Sequence, residues 1–125
     1  MLERYLIRHC SPTLASIKTA NLFNIRFENG KQLGEQIGGW NACLNDKGVT
    51  LTVLRRSEKS ALIYVYRRSR LQRELMQPAA AEFLEKYGYT VRSAEKAVQR
   101  LKERLAETGS FPHEIGIFLG YPLSD

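Results

Sequence analysis

The run Ala61-Leu-Ile-Tyr-Val-Tyr66 is apolar on both of the faces that a β-strand presents. Such a strand belongs in the interior of a sheet, since an edge or half-wetted strand would alternate with polar residues. The preceding segment, Val49-Thr-Leu-Thr-Val-Leu-Arg-Arg56, is similarly rich in β-branched types, with Ser57-Glu-Lys-Ser60 between the two. This is the pattern of a β-hairpin, and a hairpin requires an antiparallel pair.

The flanking periods supply the rest of the fold. Leu2, Tyr5, Leu6 and His9 share one side of a short helix over 2–9, and Ser11-Pro12 has the form of a helix start. Phe23, Ile25 and Phe27 alternate with Asn24 and Arg26 as in a half-buried strand ended by Asn29-Gly30. Leu33, Ile37, Trp40 and Leu44 predict an amphipathic helix over 31–45. Its interior glycines, Gly34, Gly38 and Gly39, are expected to pack closely on the sheet. Leu71, Leu75, Phe83, Leu84 and Tyr87 mark helical segments either side of Pro78. Ala94, Val98, Leu101 and Leu105 form the most regular helix, opened by Ser93 and ended by Gly109. Ile115-Gly-Ile-Phe-Leu-Gly120 reads as a last, buried strand. The expectation is an α+β domain over 1–125: a small mixed sheet of about four strands, one hairpin included, with helices packed on it. No Gly-rich loop follows the first strand, so the doubly wound nucleotide-binding pattern does not fit.

At 125 residues the chain is the length of one domain. Its longest apolar stretch, Ile115 to Leu123, is too short to span a bilayer, and Glu3, Arg4 and Arg8 interrupt any N-terminal signal core. Two cysteines, Cys10 and Cys43, are too few for a disulfide framework. A cytoplasmic protein without membrane association is expected.

Two long segments, His9-Cys-Ser-Pro-Thr-Leu-Ala-Ser-Ile-Lys-Thr-Ala-Asn-Leu-Phe23 and Phe111-Pro-His-Glu-Ile-Gly-Ile-Phe-Leu-Gly-Tyr-Pro-Leu123, together with Tyr64-Val-Tyr-Arg67, resemble a bacterial family catalogued as domain of unknown function 3793. The likeness runs the length of the chain. That family has no established activity, so the resemblance transfers no functional residue. Its members are similar to longer proteins that continue past the Gly-Tyr-Pro segment with more cysteine-containing sequence, and the resemblance leaves open both a shortened member and a piece of such a longer protein.

Two constellations carry chemistry. The family-like segments hold His9, Cys10, His113 and Glu114, residue types that could activate a thiol or ligate zinc. That use requires the two segments to meet in space. No C-x-x-C or H-x-x-x-H pair is present, so no cofactor is predicted; a metal ion is allowed by the residue types but not supported by their spacing. The second constellation is charge. Residues 55–73 hold Arg55, Arg56, Lys59, Arg67, Arg68, Arg70 and Arg73 against Glu58 alone, which accounts for the whole net charge of +6. With Tyr64 and Tyr66 nearby, these residues suggest phosphate contact and base stacking. Strand rise puts Arg55 and Arg56 roughly 20 Å from Arg67 and Arg68, giving two clusters rather than one stripe. Lys18, with Asn21, could hold an anion at the start of the first strand. The first functional expectation is therefore a non-enzymatic binding or accessory domain recognising nucleic acid, an acidic protein partner or an anion through its basic surface. The alternative is a thiol- or metal-dependent enzyme using Cys10 with His9, His113 and Glu114.

Overall fold

The computed structural model describes residues 2–14 and 18–121. The terminal Pro122 to Asp125 lie outside the described residues.

Strand β3, Ser60–Arg67, is buried at all six of its inner positions and lies in the centre of a three-stranded sheet. On one side it pairs antiparallel with β1, Ala20–Arg26, and on the other with β2, Val49–Arg56. Its two faces need separate cores, and the chain supplies both. Ala61, Ile63 and Val65 join Phe23 and Ile25 beneath α1, Leu2–Leu14, and α2, Gly30–Leu44. Leu62, Tyr64 and Tyr66 face the opposite way. They pack with α3 (Arg68–Leu75), α4 (Pro78–Glu85), α5 (Ala94–Thr108) and α6 (Ile115–Phe118). Each leucine or isoleucine taken fully out of water here contributes about 1.5–3 kcal/mol.

Local chemistry explains the element boundaries. Asn29 caps α2 by accepting from the amides of Lys31 and Gln32, and Ser93 caps α5 through Lys96 N. The outer edge of β2 is closed by Asn41, whose side chain donates to Leu51 O at 2.9 Å and accepts from Leu51 N at 2.8 Å. The helices α3 and α4 divide at Pro78, which takes the first position of α4. No helix among the described residues is long and apolar enough to cross a membrane.

The α+β class and the hairpin stand as expected, and three local expectations are corrected. First, the segment 115–120 is not a fourth strand, and all strand pairs among the described residues are antiparallel. Its Ile115–Phe118 portion is the short helix α6, which buries Ile117 and Phe118 on the α5 side and gives Phe118 O to the Tyr64 hydroxyl. Gly120, at φ +88°, closes it: Gly120 N bonds Ile117 O at 3.0 Å and Tyr121 N bonds Gly116 O at 2.9 Å. A short apolar run has no period that separates a strand from a buried helical turn. Second, Ser11-Pro12 does not start a helix. It lies in the last turn of α1, where the Ser11 hydroxyl donates back to Ile7 O. Third, Gly34, Gly38 and Gly39 do not pack on the sheet: all three are exposed, and a Cβ at any of them would meet nothing within 4 Å.

Candidate functional site

Strand pairing gathers exposed cations at the hairpin end of the sheet. Arg26 of β1 stands opposite Ser60, and the amide of Phe27 bonds Lys59 O at 2.9 Å, which holds β1 beside the hairpin turn. A β-bulge then changes the arrangement of β2. Val53 is opposite Ile63, but Arg55 rather than Leu54 is the residue opposite Leu62. Without this slip, Arg55 would stand opposite Ala61 and point to the α1–α2 face. With it, the Arg55 guanidinium lies on the α5–α6 side, 5.6 Å from the ring centroid of Phe111. Arg56 turns to the other face, 4.9 Å from the Phe27 ring. Gly30 leaves it room, since a Cβ there would stand 1.9 Å from Arg56 Nη2.

Phe111 is an apolar residue left in water, 51% exposed. Its neighbours in the chain anchor the backbone beside it. Pro112 and Glu114 are buried, and Glu114 Oε2 accepts from Arg104 Nε at 2.7 Å and from the Tyr89 hydroxyl at 3.0 Å. The Arg104 guanidinium also lies 4.5 Å from the Tyr87 ring centroid. Burial pushes the Glu114 carboxyl up, but the bonds from Arg104 and Tyr89 outweigh it and hold the group below its ordinary value. Burial and the neighbouring carboxylate push the Tyr89 phenol up, so it remains a donor. On the exposed face of α5, Arg100 Nη1 bonds both Glu103 and Glu107, at 3.0 and 3.1 Å.

The structure divides the predicted basic residues into two kinds. Arg67 is structural: it donates to the carbonyls of Thr13, Leu14 and Lys47, closing the end of α1. Arg68 is too, donating to Thr50 Oγ1 and Asn45 O, both at 2.7 Å. Arg70 is also engaged. Arg73 is exposed on α3, and Lys18 Nζ lies 5.4 Å from the Tyr121 ring centroid. Tyr64 and Tyr66, expected near the basic residues, are core residues stacked on each other at 4.9 Å. Arg55, Arg56 and Lys59 remain exposed at the hairpin end, joined by Arg26.

The thiol constellation is not brought together. Cys10 is fully buried on the α1–α2 side of the sheet, and burial pushes its thiol up to about 12, against a smaller downward pull from Lys18. His9 is exposed and stacks with Tyr5 and Phe23 at 5.9 and 5.8 Å. Glu114 bonds Tyr89 on the opposite side of the sheet, and His113 beside it is exposed. No group of three or more His, Cys, Asp or Glu side chains among the described residues could hold a metal ion.

Sequence reasoning passed over two residues of the hairpin end, Arg26 and Phe111. Arg26 is polar on an alternating strand, and nothing in the order of residues tells which strand lies beside it. Phe111 reads as core by type.

A family model described as Protein of unknown function (DUF3793) matches residues 6–125. No curated protein and no solved structure matches the chain.

Proposed function

The chain belongs to the DUF3793 family, whose description names no activity, and we propose from its surface that it is a non-enzymatic binding domain taking single-stranded nucleic acid at the hairpin end of its sheet. One observation carries this reading: four exposed cations, Arg26, Arg55, Arg56 and Lys59, share the hairpin end with the exposed ring of Phe111. Arg26, opposite Ser60, and Arg55, opposite Leu62, lie on the same face of the sheet as Phe111, two strand spacings apart and about 12 Å at the backbone, so phosphates of one strand can be met together there. Phosphate neutralisation releases counterions and provides affinity for any sequence, while an accessible aromatic ring stacks one base. Nothing in the geometry supports thiol chemistry, because Cys10 is out of reach of solvent and of Glu114. A cytoplasmic location fits two cysteines that are both unpaired.

The test is fluorescence anisotropy with a labelled oligothymidylate across a range of salt. Engagement of three or four phosphates gives a log–log slope of about −2 to −3 for a single strand. Phe111→Ala should weaken binding roughly tenfold at constant salt. Arg55→Ala with Arg56→Ala should reduce the slope by about 1 or more. No binding at low salt overturns the proposal. Binding that ignores Phe111 also overturns it, and a labelled polyglutamate peptide captured by the same arginines would assign the surface to an acidic protein instead.

A further inference from the structure

A cavity of about 380 Å³ opens where the end of α3 and the start of α4 meet α6, away from the hairpin turn. Ala80 and Ile117 give it apolar walls, the Tyr121 ring flanks it, and Glu74 and Gln77 are its polar side chains. Glu74 is held in one orientation, with Oε1 accepting from Thr19 Oγ1 at 2.5 Å. Its other oxygen, Oε2, stands 3.4 Å from where a Cβ on Gly120 would be. Gly120 therefore keeps that wall clear: a Cβ there would also come within 2.9 Å of Thr19 Cβ. Beside the opening, Lys18 Nζ sits 5.4 Å from the Tyr121 ring centroid. No ion pair joins Lys18 to Glu74 among the described residues.

Glu74 disfavours a purely anionic ligand, and Lys18 a purely cationic one. A molecule carrying both signs on a short apolar body satisfies each. We propose that this cavity binds a free amino acid with an apolar side chain, its ammonium on Glu74 Oε2, its carboxylate toward Lys18, and its side chain against Ala80, Ile117 and Tyr121. The volume lies at the small end of the range for small-molecule sites, roughly 300–1,000 Å³, as a ligand of this size requires. Thr19 is a positioning residue, since its hydroxyl occupies one carboxylate oxygen of Glu74 and leaves the other for the ligand.

Titration of the isotope-labelled full chain with L-phenylalanine, followed by amide resonances, tests the site. Saturable shifts at Thr19, Gln77, Ile117 and Gly120 are expected. L-phenylalaninamide, which lacks the carboxylate, and N-acetyl-L-phenylalanine, which lacks the ammonium, should each bind roughly tenfold or more weakly, the ratio expected for one lost charge-assisted bond. Glu74→Gln should abolish discrimination against the acetylated compound, and Lys18→Met discrimination against the amide. Absence of saturable shifts at millimolar phenylalanine overturns the proposal, as does equal binding of all three compounds to the unaltered protein. The compound comparison needs no variant, so a substitution that disturbs folding leaves the test intact.

Discussion

Replacing the glycines of α2 with alanine should stabilise this protein. Gly34, Gly38 and Gly39 lie inside a 15-residue helix, none has a positive φ, and an added methyl at any of them meets nothing within 4 Å. Alanine narrows the unfolded ensemble and loses nothing in packing there, a gain of about 0.5–1 kcal/mol at each position. The three together should contribute about 1.5–3 kcal/mol, moving the urea midpoint up by on the order of 1 M at unchanged slope. Gly48 is the control. It has the same open surroundings but sits at φ +84°. Gly48→Ala should therefore destabilise by about 1–2 kcal/mol, because an L side chain in the left-handed region crowds its own backbone. Urea unfolding followed by circular dichroism measures all four. A triple variant no more stable than the parent would refute the argument, since only contacts on the glycine face could cancel the helix-propensity gain.

Other perturbations separate structure from binding. Arg67→Met removes donors to three carbonyls and should cost about 2–3 kcal/mol in urea unfolding, leaving the salt slope of oligonucleotide binding unchanged. A thiol reagent at neutral pH should label one cysteine quickly, the exposed Cys43, and Cys43→Ser should leave none until the protein is denatured. The Cys10 thiol is raised from 9.0 to about 12, so the folded form holds its proton longer than the unfolded chain; stability should fall as pH rises between those values, most simply read as alkaline unfolding in a pH series. Glu114 behaves in the opposite sense: its carboxyl is depressed in the folded state, so its contribution is present above the ordinary value of 4.5 and is lost as pH falls through the folded one. Glu114→Gln should flatten that acid limb in a stability–pH profile.

Elements governed by local rules were legible. Ser93, the i, i+3, i+4 spacing of Ala94, Val98, Leu101 and Leu105, and Gly109 define α5 without reference to the rest of the molecule. The hairpin was legible for the same reason, and the two-faced apolar pattern of β3 placed it in the middle of the sheet. The short segments behaved differently. Ile115-Gly-Ile-Phe118 is too brief to carry a period, and the residue before it, Glu114, is fixed by Arg104 and Tyr89, partners that only the tertiary structure brings to it. Ser11-Pro12 has the residues of a helix start, yet α1 is already under way with Leu2, Leu6 and Cys10 buried four residues apart.

From residue order alone come the α+β class, the central strand, and the fact that all excess positive charge lies between residues 55 and 73. Which of those cations face solvent was decided by tertiary structure, because Arg67 and Arg68 are consumed by carbonyls and hydroxyls from distant parts of the chain. Tertiary structure also brought Arg26 to the hairpin and, through one extra residue in β2, turned Arg55 toward Phe111. The physical reason is the period of a strand: side chains alternate every residue, so a slip of one exchanges the two faces, and only the partner strand determines where that slip occurs.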